Sequence, residues 1–270
     1  MGLILCSENE AKKPYYIEEL SVNIYSVEEL CYIIYEHPLL VLDNFISPGL
    51  IEFIKTDLDM NILAAQLTKM SQERHAEDSM LIYILEFAEI YRSAEISRYR
   101  SELNNLRKLK KADFLKEKAD YMFRLRRYGK AIRYYKAVIK MSAEKNPRDK
   151  LLAKTYHNVA SAFANLFMFD KAYEYYVQAY NILGDKHILK RLYLLSYLDK
   201  RDGLRLKYTE SLGSDIMQYW DDEFNQTVTK VKQAIDKGEI DNIFKKDPIK
   251  LRKLLIEEIS RFKVDYRNMI

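Results

Sequence analysis

One block of eight residues occurs twice in this chain, and it limits the possible folds more than any other feature. Residues 128–135 read Tyr-Gly-Lys-Ala-Ile-Arg-Tyr-Tyr, and residues 169–176 read Phe-Asp-Lys-Ala-Tyr-Glu-Tyr-Tyr. Each block follows a helical stretch with a small residue at the same offset, Ala119 twelve before Ala131 and Ala160 twelve before Ala172. Paired alanines at this spacing predict an αα-hairpin. Small side chains let two helix backbones approach, and the aromatic rings at the turn and on the second helix fill the space around them. A hairpin buries its apolar faces only against neighbours, so helices before Lys111 and after Leu212 are expected to act as caps.

The rest of the chain reads as mainly α. Seven Gly and five Pro in 270 residues are too few for an all-β sandwich or barrel. Before Tyr25, aromatic and branched residues suggest two or three short strands, one at Leu3–Cys6 and others within Tyr15–Tyr25. Ser26 and Glu29 have capping-box spacing ahead of a helix that Pro38 ends. The stretch from Pro38 to Phe45 reads as extended, and Ser47-Pro48 opens the next helix. Ile62–Arg74 is helical, and Glu77–Leu109 is either one long helix or two with a bend near Ser93. Ile216, Trp220, Phe224, Val228, Val231 and Ile235 form a stripe on a helix stopped by Gly238. A last helix, opened by Asp247-Pro248, presents Leu251, Leu254, Leu255, Ile259 and Phe262. This divides the chain into a mostly helical N-terminal region with short β segments (1–109), helix hairpins (110–212) and C-terminal capping helices (213–270).

The hairpin residues resemble the tetratricopeptide repeat. Ala119, Tyr128, Ala131 and Tyr135 match that family's pattern in the first unit, and Ala160, Phe169, Ala172, Tyr176 and Ala179 match in the second. The matched alanines are 41 residues apart rather than the family's 34, which places an insertion between Ser142 and Asp149. A third unit, from Lys186 to about Leu212, shows only helical periodicity. The resemblance implies an αα-hairpin superhelix over roughly 111–212, and a groove along its first helices that takes an extended segment of another protein. In one subset of the family, Lys and Asn clamp a C-terminal carboxylate. Lys116 and Asn158 stand at matching positions, with Lys186 and Lys190 as further cations, although Asp120 stands where the clamp wants Asn. An anion there would repel a carboxylate. Solvated helix surface is the competing explanation for Lys116.

The net charge of +4 hides a strong asymmetry. Residues 1–97 carry six Lys/Arg against seventeen Asp/Glu, whereas residues 98–140 carry fifteen against four. Three expectations follow. The acidic third neutralises the basic segment internally; or the basic segment takes an acidic protein tail; or, with Tyr99, Tyr121, Tyr128 and Tyr134 interleaved, it holds nucleic acid. Arg124 and Arg127 would form a basic rim, and His157 would be a pH-sensitive contact in the groove.

No Gly-rich phosphate loop, HExxH motif or His pair at ligand spacing occurs, so neither cofactor nor metal is expected and no catalytic residue is assigned. His37 precedes Pro38 at a helix end, where a cation suits the helix dipole. Cys6 and Cys31 cannot build a disulfide framework, and Cys31 is expected to pack rather than react. The opening Met-Gly-Leu-Ile-Leu-Cys is too short for a signal peptide and lacks the Ser or Thr of a myristoylation signal. The sequence therefore points to a cytoplasmic adaptor or scaffold that binds another protein and is not an enzyme; the alternatives are a nucleic-acid-binding helical repeat using residues 98–140, or an enzyme without a recognisable motif.

Overall fold

The computed structural model describes residues 10–143, 149–199, 212–234 and 248–270, which form a mainly helical chain. It divides into two units, residues up to Phe114 and from Leu115 onward. The expected strand at Leu3–Cys6, residues 144–148 of the expected insertion, the helix stop at Gly238, and Asp247 of the pair expected to open the last helix lie outside the described residues.

In the first unit, β1 (Tyr15–Ile17) pairs antiparallel with β2 (Val22–Ile24), with Tyr16 opposite Asn23. Ser26 then caps α1 (Val27–Glu36) by accepting from the Glu29 amide at 3.2 Å. Glu29 in turn accepts from the amide of Tyr25, the residue before the cap, at 2.5 Å, one position earlier than a reciprocal capping box requires. Leu30, Cys31 and Ile34 on α1 are fully buried. Burial pushes the Cys31 thiol up to about 12, with Glu28 adding to the effect, so this sulfur packs as a small apolar group.

Pro38 does stop α1, but the segment after it is not extended. Pro38–Val41 makes one further helical turn, α2, with Pro38, Leu39, Leu40 and Val41 all buried. Proline at the first position of a turn loses no hydrogen bond, and the apolar run gains by burying all its side chains at once. Burial also lowers the pKa of His37, so its ring is held toward the neutral form rather than as a cation at the helix end.

Next come α3 (Pro48–Thr56), capped by Ser47, and α4 (Asn61–Gln72). The stretch after Glu77 resolves into two helices, α5 (Glu77–Phe87) and α6 (Ser93–Arg107). The loop between α2 and α3 is tied down by these helices. Glu77 accepts from the amides of Asn44 (3.0 Å) and Ile46 (2.9 Å), while Arg107 donates to the Leu42 carbonyl at 2.7 Å and pairs with Asp78 at 2.6 Å. Arg100 pairs with Glu86 at 3.1 Å. At least these two arginines of the basic segment are therefore matched by acids of the same unit.

The boundary falls inside α7 (Lys111–Arg124), and the second unit holds the rest of that helix with α8 (Tyr128–Ala143), α9 (Lys150–Asn165), α10 (Phe169–Leu183) and α11 (Lys186–Asp199). Among the described residues, α12 (Ser214–Ala234) and α13 (Pro248–Met269) follow. Ala119, Ala131, Ala160, Ala172 and Ala179 are all fully buried, as the spacing requires. The α7–α8 and α9–α10 turns share their hydrogen bonds residue for residue at an offset of 41. The amides of Arg126 and Arg127 bond the carbonyls of Phe123 (3.0 Å) and Met122 (2.9 Å). In the other turn, those of Phe167 and Met168 bond Ala164 (3.0 Å) and Phe163 (2.9 Å). Arg126 and Phe167 both take left-handed backbone, each with φ of 58°. α12 packs on α11 through Trp220, which is buried with Leu189 and Tyr193.

Candidate partner-binding surface

Tyrosine hydroxyls join the helices of each hairpin from within. Tyr135 on α8 donates to Asp120 on α7 at 2.5 Å, and Tyr176 on α10 bonds Ser161 on α9 at 2.9 Å. Asp120 and Ser161 are again 41 residues apart. The α11–α12 pair has the same kind of bond with the roles reversed, since Tyr193 (2.5 Å) and Tyr197 of α11 donate to Asp221 of α12. A buried tyrosine needs a partner for its hydroxyl, and the facing helix supplies one in each case.

The sequence-selected groove residues meet around Asp120. One of its oxygens accepts from Tyr135 and from Asn158 Nδ2 at 2.9 Å, and the other accepts from Lys116 Nζ at 2.5 Å. Lys116 and Asp120 are only 17% and 22% exposed, so their pairing is shielded from solvent. Asn158 links α9 to α7, and its Oδ1 lies 3.3 Å from Nδ1 of His157. An acceptor oxygen at that point suits the ring tautomer that carries its proton on Nδ1. The His157 ring stands edge-on to Tyr176, with centroids 5.5 Å apart. Burial lowers the pKa of His157 most; the Asn158 bond opposes this, Arg191 adds to the lowering, and Asp185 opposes it. Burial raises the Tyr135 hydroxyl, with the Asp120 bond second.

Lys116, Asp120, Asn158 and His157 thus form one connected cluster across α7 and α9. The other selected cations are placed elsewhere. Arg124 lies 5.3 Å over the Tyr121 ring, and Arg127 donates to the Asn268 carbonyl of α13 at 2.7 Å. Lys190 pairs with Glu223 at 2.6 Å and faces Tyr219, which commits it to the α11–α12 contact. Lys186 is exposed. Tyr128 is buried, whereas Phe169 is only half-buried at its turn.

Sequence reasoning missed two residues of this surface. Ser161 partners Tyr176, and its signal was available: Asp120 precedes Tyr135 by fifteen residues, and Ser161 precedes Tyr176 by the same fifteen. The charge of Arg191, exposed on α11, lowers the pKa of both His157 and Tyr176.

No group of His, Cys, Asp and Glu able to hold a metal ion occurs among the described residues, and none of their helices is long and apolar enough to cross a membrane. No protein-family model matches the chain, and no curated protein matches it.

Proposed function

We propose that the second unit is a docking module, acting as an adaptor or scaffold rather than an enzyme, that holds a segment of another protein along α7 and α9. The supporting observation is the half-buried polar row Lys116–Asp120–Asn158–His157, which runs from the first helix of one hairpin to the first helix of the next. The tetratricopeptide resemblance assigns the partner groove to this same set of helices. The geometry refines what the groove would recognise. Lys116 is already neutralised by Asp120, so a bare carboxylate would have to displace an internal acid to be clamped there. Polar side chains or backbone groups of a helical or extended guest suit the floor better, with its acidic residues reaching Arg124 and Arg191 at the rim. We place this module in the cytoplasm, a reducing setting that fits two cysteines far apart in sequence.

The test is affinity capture with wild type, Asn158→Ala and His157→Ala, compared by mass spectrometry. Proteins captured by wild type and lost with both variants support the groove, and an unchanged partner set counts against it. A salt titration against RNA separates the alternative use of the basic segment, because phosphate neutralisation gives a steep fall in affinity with salt.

A further inference from the structure

Two helices of similar length end the second unit, and they differ in how they use their apolar faces. α12 buries Trp220 against α11. No side chain described on α13 is buried, although Ile259 (50% exposed), Phe262 (62%) and Tyr266 (39%) lie along one stripe. With Leu255 and Met269 the stripe advances by four, three, four and three residues. That is the a/d seam of a coiled coil, in which Ile259 and Tyr266 take a positions while Leu255, Phe262 and Met269 take d positions. Along this seam Ile259, Phe262 and Tyr266 border an open apolar cleft of about 320 Å³, flanked by Lys263 and Arg267.

We infer that α13 pairs in parallel with the α13 of a second copy of this chain through this seam. The flanking charges select both occupant and direction. Glu258 falls at a g position and Lys263 at the e position five residues later. In a parallel pair, each g residue faces the e residue of the following heptad on the other helix, so two-fold symmetry makes the Glu258–Lys263 contact twice. An antiparallel pair would instead bring g against g, setting Glu258 near Asp265, two acids. In the single chain Glu258 is held by Arg261 of its own helix at 2.7 Å, on a side chain 39% exposed, so the exchange of partners is open to it.

The C-terminal end of α13 also touches the start of α8. Arg127 holds the Asn268 carbonyl, and Gly129 leaves room for the Ile270 carbonyl, which would overlap a side chain at that position. The seam spans about four turns, so the pairing is weak and dependent on concentration.

Sedimentation velocity of the full chain over a wide concentration series tests this. Wild type is expected to pass from monomer to dimer, and Phe262→Asp to remain monomeric throughout; circular dichroism serves as the folding control, since Phe262 is exposed. Glu258→Lys and Lys263→Glu should each weaken the dimer roughly ten-fold, by turning two attractive rim pairs repulsive. The double exchange Glu258→Lys/Lys263→Glu should restore it. A wild type that stays monomeric at every concentration overturns the proposal, as does a dimer indifferent to Phe262→Asp. A double exchange that fails to rescue the single changes overturns the parallel register.

Discussion

The α7–α8 and α9–α10 hairpins have the same turn and the same alanine spacing, yet they are fastened by different chemistry. In the first, the Asp120 carboxylate gathers Lys116, Tyr135 and Asn158. In the second, a neutral hydroxyl pair, Ser161 and Tyr176, occupies the equivalent place, supported by the His157 ring. The backbone arrangement therefore depends on the small residues and the turn, while the polar fastening between helices is free to vary. Charge-assisted bonds are roughly twice as strong as neutral ones, so the first hairpin stakes more on one residue than the second does.

Asp120→Ala should have the largest effect. It leaves the Lys116 ammonium, the Tyr135 hydroxyl and the Asn158 amide without their shared acceptor, and a loss of about 2–3 kcal/mol is expected in chemical denaturation. Asp120→Ser installs the second hairpin's chemistry in the first. Its loss should be smaller, about 1–2 kcal/mol, and adding Lys116→Met should recover part of it by removing the stranded cation. If Asp120→Ser with Lys116→Met is no better than Asp120→Ser alone, the Lys116 pairing does not carry the difference between the hairpins. Ser161→Ala removes one neutral bond and should cost about 1 kcal/mol. A cost equal to that of Asp120→Ala would erase the contrast altogether.

The smallest expected effect is on pH dependence. His157 has a folded pKa lowered below its unfolded value, so the unfolded chain binds the proton more readily. Stability is then fully present above the unfolded pKa of about 6.5, falls as pH drops through the window between the two values, and levels off below the folded one. His157→Gln should flatten that fall in a denaturation series. His37, also lowered by burial, contributes in the same direction and should retain its share. A slope unchanged by His157→Gln would show that the ring is not held neutral.

The hairpins were legible in the sequence because their signal is steric. Ala119, Ala131, Ala160 and Ala172 stand where bulk would separate the backbones, and a size constraint of this kind shows up as spacing. The cap at Ser26 was visible for a similar reason, since a side-chain oxygen beside a helix start is a local property, whereas the 77–109 stretch stayed open between one helix and two, because its apolar stripe runs on across the break that the structure places before Ser93. α2 was not visible, because a four-residue apolar run after proline is compatible with strand or turn, and only the burial of Leu39, Leu40 and Val41 decides it. The cluster was half legible. Lys116, Asp120, Asn158 and His157 were each selected, but Asp120 was read as an obstacle to an outside carboxylate when it serves as the acceptor for its own neighbours. That relation spans 38 residues between Asp120 and Asn158, and it depends on a packing that composition does not encode. The commitments of Arg127 and Lys190 to α13 and α12 are hidden for the same reason.

The two turns carry one more consequence. Both send the chain through left-handed backbone on an arginine and a phenylalanine, residues for which that conformation costs about 1–2 kcal/mol relative to the right-handed one. Phe167 is 73% exposed, so little of its ring helps to offset that cost. Replacing Arg126 and Phe167 with asparagine or glycine would relax both bends together, which makes them the first places to look for a more heat-tolerant form of this protein.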